Sequence, residues 1–161
     1  MALMNTAVKK QALLLAAVIL PLFFLLRSTA VGGQNKVCFK KRCFNAEVAR
    51  TIEELTQGLQ FRNSMDNDAG MLFIFPFSGR HDFWMKDTLI PLDIIWLDED
   101  KKVVYIAENV PPCREVRCET YGPPQAARYV LEINAGYASW LKIKVGDEAV
   151  FDLPEISPKE K

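Results

Sequence analysis

A cation, an anion and a hydroxyl stand side by side at Lys86-Asp87-Thr88, just after Trp84 and shortly before Asp93. With Arg62 these residues can build a recognition site. Trp84 would offer a stacking face, Arg62 and Lys86 would donate to anions or hydroxyls, and Asp87 and Asp93 would accept. Pro91 forces the chain back into an extended path soon after the turn, so the turn cannot swing freely. Such a rigid mixture of donors and acceptors suits a neutral polyol or a peptide edge. The same residues also fit a purely structural part, with Asp93 as a cap acceptor, Arg62 as its ion-pair partner and Trp84 in the core. Arg62 and Asp93 are expected to interact, directly or through the strand that carries Trp84. Trp84 and Met85, adjacent on a strand, must point to opposite faces.

Catalytic alternatives are thinner. His81-Asp82 would need Ser64, Ser78 or Ser139 as a nucleophile, and no G-x-S-x-G turn is present. A lone imidazole there reads as a solvated rim residue. Two carboxylates drawn from Asp82, Asp87, Asp93 and Glu132 could perform glycoside hydrolysis. Glu132, however, alternates with Leu131 and Ile133 and is expected to face solvent. The chain has one histidine, which excludes sites that need two, and it carries no P-loop, dinucleotide fingerprint, H-E-x-x-H or EF-hand string.

Cysteines fall as Cys38-x4-Cys43 and Cys113-x4-Cys118. Each pair flanks a turn, so in an oxidising compartment the local pairing Cys38–Cys43 and Cys113–Cys118 is favoured. Closing such short loops removes only about 2 kcal/mol of unfolded-state entropy each, so these are loop staples. A four-thiolate zinc site and free or redox-active thiols are the alternatives.

The elements that must position these groups are short. Phe44, Ala46 and Val48 alternate with polar residues within a strand over residues 37–49. Thr51 and Glu54 form a capping-box pattern opening a helix that runs to about Gln60, with Ile52, Leu55 and Leu59 on one face. The polar stretch 63–70 turns into an apolar strand over 71–77. Segments 81–86, 91–97 and 103–110 follow, the last two joined by a charged hairpin turn at Asp98-Glu99-Asp100-Lys101. Residues 111–124 read as an irregular loop, 127–133 as strand, 136–143 as one short helix and 148–153 as a final strand. The pattern predicts a mainly β fold: a single antiparallel β-barrel or sandwich-like domain of about seven strands with one or two short helices.

The N-terminus gives an address. Lys9-Lys10 precedes an uninterrupted apolar run from Ala12 to Leu26, and small residues follow at Ser28 and Ala30. Residues 1–30 fit a secretory signal cleaved after Ala30, or an uncleaved anchor whose span is stretched by a snorkelling Arg27. A buried soluble helix is less suited to a run that is apolar on every face. Residues 31–36 form a tether, 37–153 the domain and 154–161 a polar tail.

Overall the 161 residues are 50% hydrophobic and 25% charged with zero formal net charge, which excludes a disordered chain. The only charges before Gln34 are Lys9, Lys10 and Arg27, so the remainder is mildly acidic and has no electrostatic reason to seek nucleic acid.

Several strings together resemble the family called domain of unknown function 192. They are Gly70-Met71-Leu72-Phe73-Ile74-Phe75 and the run from Phe83-Trp84-Met85-Lys86 through Pro91-Leu92-Asp93-Ile94-Ile95. Gly58-Leu59 with Arg62, Pro112-Cys113 to Cys118, Leu131-Glu132, Ala135-Gly136 and Gly146-Asp147 extend the resemblance over about residues 37–152. Gln60 stands where the family usually has Met, and Asp87 where it usually has Asn. The resemblance implies a β-rich, often exported bacterial or archaeal domain without an established reaction. It supplies a fold and a site region but no substrate.

Two functions are therefore expected to compete. One is a non-catalytic extracytoplasmic binding module for an envelope glycan or protein, without cofactor or metal, attached to the membrane if the first segment is retained. The other is a carboxylate-assisted hydrolase of an envelope polymer. An acidic side chain in an open cleft beside Trp84 would favour chemistry, and one satisfied by backbone N–H groups would favour structure.

Overall fold

The computed structural model describes residues 34–154. The expected signal or anchor, half of the tether and nearly all of the polar tail lie outside those residues. Nine strands form in order: β1 (Lys36–Phe39), β2 (Arg42–Ala49), β3 (Ala69–Gly79), β4 (Phe83–Trp84), β5 (Leu92–Leu97), β6 (Val103–Val110), β7 (Thr120–Tyr121), β8 (Ala127–Asn134) and β9 (Ala149–Asp152). Two short helices, α1 (Ile52–Gln57) and α2 (Tyr137–Trp140), complete the described chain.

Seven strands make one curled sheet in the order β6-β5-β8-β3-β2-β1-β9, and β4 pairs with β7 in a small second sheet. Lys102 bridges Glu148, and Val103 N–H donates to the Asp147 carbonyl at 2.8 Å. The two outermost strands therefore meet at one end and the sheet curls into a half-barrel. The mainly β fold is as expected. The pairing departs from a purely antiparallel sheet at one place, because β2 and β3 run parallel. A parallel pair needs a crossover, and α1 lies within it. The segment read as one strand over 37–49 is a hairpin, reversed at Lys40-Lys41 with Cys38 directly opposite Cys43.

Both faces of this sheet are covered. One face packs Val37, Phe44, Leu72, Ile95, Leu131 and Ile133 with Ala138 of α2. The other packs Met71, Phe73, Leu92, Ile94, Trp96 and Val130 with Leu59 and Met85. Successive residues of β5 and β8 thus alternate between two cores, which is why Leu92–Leu97 is apolar except at Asp93 and buried at every position.

Helix α1 begins as its sequence dictates. Thr51 accepts from Glu54 N–H at 3.2 Å while the Glu54 carboxylate accepts from Thr51 N–H at 3.0 Å, closing the capping box. The backbone N–H groups of Thr51 and Arg50, both donating to the Glu54 carboxylate, hold it below its usual range. Gly58 ends the helix at φ 48°, ψ −134°, a backbone region that a side chain would strain.

Candidate functional site

On the second face, β8 presents Glu132. It sits in register between Met71 of β3 and Ile94 of β5, and beyond Met71 the same row continues to Glu47 of β2. Only 5% of Glu132 is exposed. The solvated position expected for it is therefore wrong. Alternation with Leu131 and Ile133 would leave it in water only if one sheet face were bare, and here both are packed. Among the described residues its carboxyl enters no ion pair, and no hydrogen bond contributes to its titration. Burial alone pushes its pKa up to about 8, so the group is mainly protonated at neutral pH.

What Glu132 faces is a cavity of about 300 Å³. The C-terminal end of α1 with Gly58 and Gln60 closes one side, and Phe73 and Phe75 of β3 line another. Arg80, His81 and Asp82, then Phe83 and Trp84 of β4, make the opposite wall, and Thr88 completes the lining. The aromatic wall is built by mutual packing. Phe83 stands edge-on to Phe73 at 4.9 Å and to Trp96 at 5.8 Å. His81 is stacked on Phe75, with ring centroids 3.6 Å apart, and its backbone carbonyl accepts from Trp96 Nε1 at 2.8 Å. Burial lowers the His81 pKa, which keeps the imidazole neutral at pH 7. Asp82 lies against Gly122, where a Cβ would collide with its carboxylate.

The residues singled out from sequence divide into three places. Trp84, half exposed at 52%, and buried Thr88 line the cavity, while Met85 points away into the core as strand alternation requires. Lys86 and Asp87 do not line it. They pair with each other at 3.4 Å, Lys86 Nζ donates to the Glu115 carbonyl at 3.2 Å, and Asp87 N–H donates to the Cys113 carbonyl at 3.0 Å. Their work is to stitch the loop of the second disulfide onto the chain after β4.

Arg62 and Asp93 are the third place, or rather two places. The expected contact between them does not form. Asp93 is fully buried on the other face of the sheet, accepting from Asn109 N–H and Ala138 N–H, both at 2.8 Å. It ties β6 and α2 to β5. Arg62 follows α1 on the cavity face and makes a bidentate pair with Glu47. Arg62 is held at Glu47 on the face that carries Ile94, Glu132 and Met71, so the sheet itself separates it from the carboxylate at 93. Of the cavity's other polar groups, sequence alone marks Asp82 and Glu132 only as possible hydrolytic carboxylates and His81 as a rim residue, so it places none of the three in the ligand site. The one available signal was Glu132, an acidic residue set within the apolar stretch Val130–Ile133 of β8.

Cys38 is joined to Cys43 and Cys113 to Cys118, and no described cysteine is free. Two such pairs point to an oxidising environment. Among the described residues no group of His, Cys, Asp or Glu is placed to hold a metal ion, and no helix is long and apolar enough to cross a membrane.

Comparison with known proteins settles the kinship. The model of the family described as "Uncharacterized ACR", DUF192, matches residues 35–151. The chain belongs to the DUF192 family. A UPF0127 protein of Pyrococcus abyssi is 34% identical over 107 residues, covering 63% of this chain and 81% of that protein. A UPF0127 protein of Thermococcus gammatolerans is 30% identical over 120 residues, 71% of each chain. A solved structure, a protein of unknown function from Novosphingobium aromaticivorans, superposes with a TM-score of 0.66 at 34% identity, covering 75% of this chain and 89% of that one. All of the cavity-lining residues fall inside the span matched by the DUF192 model.

Proposed function

We propose that this DUF192 domain is a non-catalytic binding module that works outside the cytoplasm and takes one small polar ring of an envelope glycan into the Glu132 cavity. The observation that carries this reading is a buried carboxyl group, without a partner among the described residues, opening onto a cavity walled by aromatic rings. Buried polar groups in folded proteins are overwhelmingly paired, so an unpaired one facing a cavity is matched by a ligand. The volume stands at the small end of ligand sites, which run from roughly 300 to 1,000 Å³. Trp84 at the mouth is suited to stacking on the apolar face of a sugar, and Thr88 and Gln60 are suited to its hydroxyls. The two disulfides and the basic-then-apolar N-terminal segment support the location.

The test is a thermal-shift panel of mono- and disaccharides against the full chain. A saturating sugar raises the melting temperature, since ligand at a hundredfold excess over Kd adds about 2.7 kcal/mol. Trp84→Ala removes the shift. A panel in which no sugar shifts the protein overturns the reading, and recovery of the domain from cytosol with reduced thiols overturns the location.

A second reading is favoured by one observation: Asp82 and Glu132 line the same cavity. A protonated acid and a second carboxylate are the parts of a glycoside hydrolase. In that case reducing ends accumulate when envelope polymer is incubated with the protein, and Glu132→Gln abolishes them. Binding without turnover leaves the module reading.

A further inference from the structure

Resting on the binding-module reading above, we infer that the sugar recognised in this cavity is an amino sugar whose free ammonium group is seated on Glu132. The argument begins with what the protein withholds. Glu132 is flanked by Met71 on one strand and Ile94 on the other, so the sheet offers it no countercharge. The next titratable group along the row, Glu47, is already paired with Arg62. Helix α1 contributes only uncharged residues to the lining, and Lys86 is held by Asp87 and the Glu115 carbonyl.

From the loop before β4, three ionisable groups share the cavity: Arg80, His81 and Asp82. Arg80 is solvent-exposed and forms no ion pair within 4 Å of a carboxylate among the described residues. His81 is neutral at pH 7, and Asp82 adds a second carboxylate. The cavity therefore holds two acids against one exposed cation, with no cation on the buried one.

A neutral hydroxyl would give the buried carboxyl a single hydrogen bond. An ammonium group supplies several donors and the missing charge together, and it lifts the penalty on an ionised carboxylate in an apolar site. Phe73, Phe75, Phe83 and Trp84 around it are the kind of surface that attracts an organic cation. A carboxyl at the floor and rings on the walls favour a cation over its neutral analogue.

Binding then has a proton signature. In the free protein below about pH 8 Glu132 holds a proton, and a seated ammonium expels it, so affinity rises with pH in that range. Glucosamine, N-acetylglucosamine and glucose are titrated calorimetrically into the full chain at pH 6.5, in two buffers of different ionisation enthalpy. Glucosamine is expected to bind at least about tenfold more tightly than the two neutral sugars, a difference of about 1.4 kcal/mol. Close to one proton is released per glucosamine bound, and affinity rises about tenfold from pH 5.5 to 6.5. Glu132→Gln removes the preference. Equal or tighter binding of N-acetylglucosamine or glucose without proton release overturns this inference while leaving the binding module standing. Failure of all three sugars to bind overturns both. Proton release is measured on the natural chain, so the result does not depend on the variant folding.

Discussion

Replacing Glu132 with Gln should flatten the dependence of stability on pH. The carboxyl titrates near 4.5 when unfolded and near 8 when folded. Between those values the folded chain holds a proton that the unfolded chain has released. Stability tied to this group is fully present below pH 4.5 and falls as pH rises, by roughly 1.4 kcal/mol per unit, until it levels off above pH 8. At pH 7 the accumulated loss is about 3 kcal/mol. Gln keeps the shape and loses the titration, at the price of a buried amide worth about 1–2 kcal/mol. The variant is therefore close to the natural chain in stability at pH 5 and gains on it at every step upward. Across pH 5 to 8 the gap between the two widens by about 4 kcal/mol. Urea unfolding followed by tryptophan fluorescence, with disulfides intact, measures it at pH 5, 6, 7 and 8. His81, whose lowered pKa contributes stability above about pH 6.5 that is lost on acidification, is common to both chains and cancels in the difference. So does Glu54, which acts below pH 4.5. A gap constant to within about 1 kcal/mol over that range would refute the assignment of a buried, unpaired carboxyl at position 132.

Three further outcomes are expected. Asp93→Ala strands the buried Ala138 N–H at about 1–3 kcal/mol and the partly buried Asn109 N–H at less, so the domain loses about 2–4 kcal/mol and its melting temperature drops on the order of 10 °C; a loss below about 1 kcal/mol in chemical denaturation would show that those donors find water. Arg62→Ala breaks a largely solvated pair and costs less than about 1 kcal/mol, and a double-mutant cycle of Arg62 with Asp93 is additive within about 0.5 kcal/mol. Replacing Cys38 and Cys43 by Ser lowers stability by about 2 kcal/mol, as expected for so short a loop, with the sheet signal in circular dichroism unchanged.

Where the physics is local, the sequence was enough. The Thr51–Glu54 capping box, the hairpin of β5 and β6 about the charged turn at 98–101 and the contrast of exposed Trp84 with buried Met85 follow from spacing alone. The limits are equally specific. Period-two alternation names two faces without saying what covers them, so it placed Glu132 in solvent when a second core lay over it. The same ambiguity set Asp93 and Arg62 against each other, although the sheet stands between them. Strand β3 runs through Pro76 to Gly79 and pairs with β2 in parallel, and neither follows from a short window of sequence. At the cavity, Trp84 and Thr88 were legible as candidates because their types stand out. His81 and Asp82 were not, because their relation to Glu132 depends on β4 folding back across β3 and β8.

The meeting of β6 with the turn before β9 bears on behaviour at high concentration. An open sheet offers its outermost strands as templates for strands of other chains, the first step toward fibrils. Here Lys102 and Glu148 occupy that position for each other, and Gly146 and Ala149 donate to the carbonyls of Val103 and Lys101. Farther along β6, Asn109 takes a positive φ of 54° and the register with β5 slips, which interrupts the row of free backbone groups. Strand β9 is only four residues long. Neither border of the sheet presents a long, straight stretch on which another chain could lay down a strand, and this geometry guards the folded domain against edge-to-edge growth even when it is crowded.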